Sequence, residues 1–386
     1  MYNEGDNMAV VKKVRLSKFS KRLIILLVLI IGILLIPTGM NMYKSSKLKE
    51  LKYDNIAIHN IIDKKVYKEF INVGENKTLN EVVKDKDFDK KLIDKYKKVK
   101  YIKQGHLAKN IKALLKKGYN TSEISMIISH STTEVTDKFV KHDYVENISN
   151  YLNFDYAKLS NIDRYLAYYK ESRESFENVV TFINIGLDKE YYKDAKIINK
   201  YSVDMLVNKY NGLTEDFEPK NLTRIPSDLC KDPKETERLT KEALSAYQEM
   251  YDAAKAEGYG LLVNSAYRSY KDQNEIYQTY YNLYGENYVK KYAAKPGFSE
   301  HQTGLSLDVA STKSDIFENS KEYKWMKENS YKYGFILRFP KNKADITGFK
   351  AEAWHFRYVG KDIAKYVYEN NLTFDEYYAR FLDKEK

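Results

Sequence analysis

The chain has 386 residues, 43% of them hydrophobic, and a formal net charge of +11. At about 150 residues per folding unit this suggests two or three units, and a mean hydropathy of −0.62 excludes a polytopic membrane protein. The single cysteine, Cys230, excludes an intramolecular disulfide and a cysteine-based metal cluster, so any metal must be held by His, Asp or Glu. The positive excess favours contact with polyanions such as nucleic acid, lipid headgroups or an anionic wall polymer. It is spread over separate lysines, which reads first as solubility. The 36 tyrosines read as compositional bias.

Residues 1–22 form a polar tail ending in a basic run that includes Lys18, Lys21 and Arg22. The uncharged stretch LIILLVLIIGILLIPTGMNM follows over 23–42 and reaches the ~20 residues a spanning helix needs. It lacks the small-residue site of a cleaved signal peptide. The expectation is a single-pass anchor with a cytoplasmic tail and everything beyond it extracellular.

Residues 43–178 read as a mostly helical extracellular region. Leu79, Val82, Val83, Phe88 and Leu92 fall on a rough helical stripe. Two helical segments joined by KGYNT resemble a DNA-binding helix-turn-helix. An ordinary helical hairpin accounts for them as well, with Gly118 closing one helix and Thr121 or Ser122 opening the next. Lying outside the membrane, the hairpin reading prevails and no nucleic acid is expected. His59, His106, His130 and His142 share no ligand-like spacing. The β-branched run NVVTFINIGL, from Asn178 to Leu187, predicts a strand.

The last domain, 179–386, mixes helices and strands without regular βαβ alternation. That predicts an α+β domain with a mainly antiparallel sheet. Leu239, Ala243, Tyr247, Met250 and Ala254 mark an amphipathic helix ended by Gly258. GLLVNSAY reads as a strand and RSYKDQNEIYQTYYNLYG as a helix. In GLSLDVA, Leu305, Leu307 and Val309 alternate with Ser306 and Asp308, a period of two. EAWHFRYVG repeats the pattern, with Trp354, Phe356 and Tyr358 on one face and His355 and Arg357 on the other. His301, Asp308 and His355 make three metal-ligating side chains, the number a catalytic zinc site uses beside an open position. Glu352 stands three residues before His355, where a carboxylate can take a proton from water. The spacing alone leaves a metal site and ordinary polar strand residues equally open.

The segments SAYRSYKDQ, PGFSEHQTGLSLD, YGFILRFP, ITGF and EAWHFRYVG, in this order, closely resemble the VanY-type D-Ala-D-Ala carboxypeptidases, of the zinc peptidase group that includes lysostaphin-like enzymes and the hedgehog domain. The resemblance covers roughly residues 180–375. It implies a small α+β zinc domain acting on the peptide stem of peptidoglycan, with one Zn2+ held by His301, Asp308 and His355. Glu352 would be the base, and Arg268 would stabilise the oxyanion or the substrate carboxylate. Ser299 and Gln273 would touch substrate. Ala353 replaces a frequent Pro and Ser306 a frequent Ala; Ser306 would be a hydrogen-bond partner of Asp308. The alternatives are an L,D-carboxypeptidase acting on tetrapeptide stems, or a non-catalytic wall-binding protein on the same fold. An anionic wall polymer is a further expected partner.

Overall fold

The computed structural model describes residues 17–384, without the side chains of residues 32–37. The chain separates into two compact units, Met1–Glu146 and Asn147–Lys386, whereas the sequence suggested a change at 178. Every regular element among the first unit's described residues is a helix. Its core includes Ile61, Phe70, Leu79, Val82, Ile111 and Leu114.

The stripe running on to Phe88 and Leu92 is not one helix. The helix Lys77–Val82 stops there, because Asp85 and Asp89 accept from the amides of Asp87 and Lys91 and favour turns. The hairpin forms as expected between Leu107–Lys117 and Thr121–Ser129, with Gly118 at φ 103°. Its second helix is capped by Asn120 rather than Thr121 or Ser122. Asn120 and Glu123 cap each other's amides reciprocally, the arrangement three-residue spacing permits.

Among the described residues no helix is long and apolar enough to cross a membrane, so the fold does not support the anchor read over 23–42. That stretch belongs to the helix Lys18–Glu50, and Leu23 to Ile31 are exposed. The expected span also takes in 32–37, whose side chains lie outside the described ones, as do residues 1–16 of the basic tail.

In the second unit the run around Asn178 is a helix, Phe176–Ile185, and not a strand. Ser175 caps it and Gly186 ends it at φ 101°. Val179, Val180 and Ile183 are buried at helical spacing, so packing outweighs their β preference.

The functional part is built on a four-stranded sheet of β1 (Leu261–Ser265), β2 (Ser306–Ser311), β3 (Phe335–Phe339) and β4 (Glu352–Tyr358). Its order is β1-β2-β4-β3 and every neighbouring pair is antiparallel. Helix α1 (Lys241–Ala256) buries Ala243, Tyr247, Met250 and Ala254 in one core with Leu307, Val309 and Phe356. Burying each large apolar side chain contributes about 1.5–3 kcal/mol. Leu239, expected on this helix, instead lies in a short strand, Arg238–Thr240, paired with Leu222–Arg224. Helices α2 (Tyr270–Tyr284) and α3 (Glu286–Tyr292) follow β1. Helix α4 (Lys321–Asn329) precedes β3.

Candidate active site

Strand register brings the first two polar groups together. In the β2–β4 ladder Asp308 lies directly opposite His355, which puts their side chains on one face of the sheet. The third arrives on a tight turn, Glu300–Thr303, closed by Gly304 at φ 65°. This left-handed backbone angle is the one that favours glycine. The register shifts at Val263/Ser265 and Leu337/Phe339, irregularities of the kind that re-aim side chains beside active sites.

His301 Nδ1 lies 2.6 Å from the Ala266 carbonyl. It therefore carries the proton and leaves the Nε2 lone pair facing inward. Nε2 is 3.5 Å from Asp308 Oδ1, and His355 Nδ1 is 3.3 Å from the same oxygen. Ligands about 2.0–2.1 Å from a tetrahedral ion stand about 3.3–3.4 Å apart. The three groups offer ligand atoms within 4.8 Å of one another, and Asp308 Oδ1 is buried without a hydrogen-bond partner. These residues fit a divalent cation.

The electrostatics agree. Burial would raise the Asp308 carboxyl, but His301 and His355 hold it well below the usual carboxylate range. Burial lowers His301, which favours the neutral ring a metal requires. Burial would also lower His355, yet Asp308 and Glu300 together lift it to about 9. Without a metal, a proton on His355 is thus the cation that answers the buried carboxylates. Burial pushes Glu352 up to about 7; His355 opposes this and Asp308 reinforces it. Glu352 Oε2 is 3.7 Å from His355 Nδ1.

His301, Asp308, His355, Glu352, Arg268, Gln273 and Ser299 all line one cavity of about 390 Å³. Arg268 is held by Gln273 Oε1 at 2.8 Å and by Ser265 Oγ at 3.1 Å. Gln273, expected to meet substrate, also donates to the Ala294 carbonyl at 2.8 Å, so its amide positions Arg268 and the cavity wall. Ser306 does not reach Asp308. Its hydroxyl lies 3.4 Å from Glu300 Oε2, because it sits opposite Arg357, two positions along the ladder.

Two features escaped the sequence reading. Trp354 shares a strand face with Phe356 in the sequence pattern, but Phe356 is buried whereas Trp354 is 42% exposed and lines the cavity. Behind the site lies a buried charge cluster. Arg338 Nε binds Glu300 Oε1 at 2.8 Å and Arg338 Nη1 binds Asp375 Oδ2 at 2.6 Å. Asn208 donates to Asp375, and Arg357 lies 3.4 Å from Glu300. Burial would raise Glu300, but Arg338 and Arg357 hold it well below its ordinary range. Its other oxygen lies 3.6 Å from His355 Nε2. The available signal was a charged residue in each of the otherwise apolar runs FILRFP and HFRYV.

Residues 236–361 match the family model of VanY, D-alanyl-D-alanine carboxypeptidase. Over 208 residues, half of this chain and 76% of the relative, the sequence is 41% identical to the putative carboxypeptidase YodJ of Bacillus subtilis (strain 168). Over 181 residues, 45% of this chain and 92% of the relative, it is 33% identical to the bifunctional D-Ala-D-Ala dipeptidase and D-Ala-D-Ala carboxypeptidase VanXYC of Enterococcus gallinarum. The solved structure of the LdcB LD-carboxypeptidase is 40% identical across half of this chain and 92% of that one, with a TM-score of 0.45. The matches are to hydrolases of the carboxypeptidase class. The chain belongs to the VanY D-alanyl-D-alanine carboxypeptidase family.

Proposed function

We propose that this protein is a zinc-dependent carboxypeptidase that removes the C-terminal D-alanine from peptidoglycan stem peptides. The observation that carries the reading is the convergence of His301 Nε2, Asp308 Oδ1 and His355 Nδ1 at cation-ligand separations beside a basic carboxylate. His301, Asp308 and His355 would hold the ion, which when bound polarises the scissile carbonyl and acidifies water. Glu352 takes the proton of the attacking water and passes it to the departing D-alanine amine. Arg268 faces the substrate's negative charge, either the terminal carboxylate or the developing oxyanion, with a guanidinium already held by Gln273 and Ser265. Its pre-set geometry lowers the cost of ordering it on binding.

The localisation proposed is the bacterial cell membrane, with the catalytic unit outside. It is supported by the basic tail and by the exposed apolar side chains from Leu23 to Ile31. Protease accessibility on intact cells tests it: cleavage of the catalytic unit is expected, and full protection would refute it.

The activity test uses the full chain in detergent with zinc, given free pentapeptide and tetrapeptide stems separately. D-Alanine release from the pentapeptide is expected, abolished in His301→Ala and reduced about 10²–10⁴-fold in Glu352→Gln. Release from the tetrapeptide alone would move the specificity to L,D. Release from neither would leave a wall-binding role.

A further inference from the structure

One side of the active-site cavity opens onto tyrosines. Tyr280 on α2 and Tyr292 on α3 line the cavity and are 38% and 45% exposed. Tyr284 and Tyr288 join them into a surface circuit. Ring centroids are 6.1 Å apart for Tyr280–Tyr284, 4.5 Å for Tyr284–Tyr288 and 4.7 Å for Tyr288–Tyr292. Tyr280 and Tyr288 close the circuit at 6.0 Å.

Local sequence builds this patch. Tyr280 and Tyr284 are four apart on α2, as Tyr288 and Tyr292 are on α3, so each pair shares a helix face. Gly285, at φ 79°, breaks the helix between them. Core packing does not account for the rings, since Tyr284 is 57% exposed and its neighbour Leu283 67%. Among the described residues no hydrogen bond engages the hydroxyls of these four tyrosines, which leaves flat rings with free polar tips.

The occupant follows from continuity with the cavity. A pocket of about 390 Å³ lies at the small end of the ~300–1,000 Å³ range of ligand sites, too small for a stem peptide together with its sugars. A five-residue stem extends about 17 Å, and its other end is bonded to an amino sugar of the glycan strand. With the stem's C-terminus in the cavity, the rest of the stem leaves through the mouth and its sugars lie outside the cavity. Pyranose rings present an apolar C–H face and a polar edge, which matches the apolar body and polar tip of tyrosine.

We propose that Tyr280, Tyr284, Tyr288 and Tyr292 form a sugar-binding platform that holds the glycan strand while its stem peptide occupies the cavity. This rests on the stem peptide being the substrate.

The test compares free pentapeptide with the disaccharide-linked pentapeptide on the zinc-loaded full chain. The variant is Tyr284→Ala/Tyr288→Ala, which leaves the cavity-lining rings in place. Each stacked ring contributes roughly 2- to 10-fold in affinity. In the wild type, KM for the linked substrate is expected roughly 10-fold below that for free peptide. The variant loses that difference and keeps both kcat and the KM for free peptide. Tyr284→Phe/Tyr288→Phe, which keeps the rings, retains most of it. Equal KM values for the two substrates in the wild type would overturn the platform, as would a variant that binds both substrates as the wild type does. A second arm measures sedimentation with glycan strands stripped of peptide. Strands bound through Tyr284 and Tyr288 by a protein that cleaves no stem would refute the catalytic reading and leave the platform standing. A patch whose loss instead converts a dimer to a monomer, with no effect on glycan, would be a self-association face and refute the proposal.

Discussion

Two buried polar clusters lie within a few ångströms of each other in the second unit, and they are finished differently. Around Arg338, opposite charges meet: Glu300 and Asp375 each hold one side of the guanidinium. Around Asp308, two acceptors face each other, since the lone pair of His301 Nε2 stands 3.5 Å from a carboxylate oxygen with no hydrogen-bond partner. The first cluster joins opposite charges at hydrogen-bond distance; the second sets two acceptors side by side, which a bound cation would bridge. Arg338 and Asp375 are the more deeply buried, with side chains 1% and 0% exposed against 14% for Asp308, so depth of burial does not mark the candidate site. Unanswered acceptors do. Glu300 belongs to both, held by two arginines on one side and facing His355 on the other.

Breaking the closed cluster should have the largest effect. Arg338→Met leaves Glu300 and Asp375 buried without their main partner and should lower stability by about 3–5 kcal/mol, much of the 5–15 kcal/mol typical of a domain. Urea unfolding of the metal-free protein checks it; a loss below about 1 kcal/mol would mean that the cluster is not a structural support.

Relieving the open cluster should do the reverse. In the metal-free protein Glu352 sits at about 7, above its ordinary 4.5. Between those values the folded state binds more protons than the unfolded, so this group's contribution to stability falls as pH rises from about 4.5 to 7. Glu352→Gln cannot ionise. Its stability relative to wild type should grow across that window to about 3 kcal/mol and stay level above it. Thermal melts at stepped pH read this directly, and a difference independent of pH would contradict it.

A smaller effect is expected between the clusters and the cavity wall. Gln273→Ala frees the Arg268 guanidinium and should cost about 1–2 kcal/mol in kcat/KM, a factor of roughly 5–30, with metal content unchanged. Equal loss of metal would show that the residue supports the ligands and not the arginine. The smallest is Ser306→Ala. Its hydroxyl's hydrogen bond, at 3.4 Å to Glu300, is long, and less than about 1 kcal/mol of stability is expected to go.

Local rules carried much of this into the sequence. Alternation in GLSLDVA and EAWHFRYVG gives two strands with polar residues on one face, and Gly258 and Gly118 mark helix ends. All seven candidate residues line the one cavity. Pairing across the sheet was not legible, because nothing local says that Asp308 stands opposite His355. For the same reason Glu300 went unremarked beside His301: its partner Arg338 is 38 positions away. Alternation pairs Trp354 with Phe356 on one face but does not tell that Phe356 joins the core while Trp354 lines the cavity. The run at Asn178 failed for another reason: its valines and isoleucines suit a strand by themselves and a helix only once they pack.

The ladder that sets Asp308 against His355 also sets Leu307 against Phe356. Core and chemistry therefore hang on a single alignment, and a slip of one residue between β2 and β4 would turn both inside out. Insertions and deletions between Ser306 and Asp308 or between His355 and Arg357 would shift this alignment, so length variation among descendants of this sequence should collect outside that ladder. If the proposed ion binds there, the metal content of a preparation would report how much of it has folded in the right alignment.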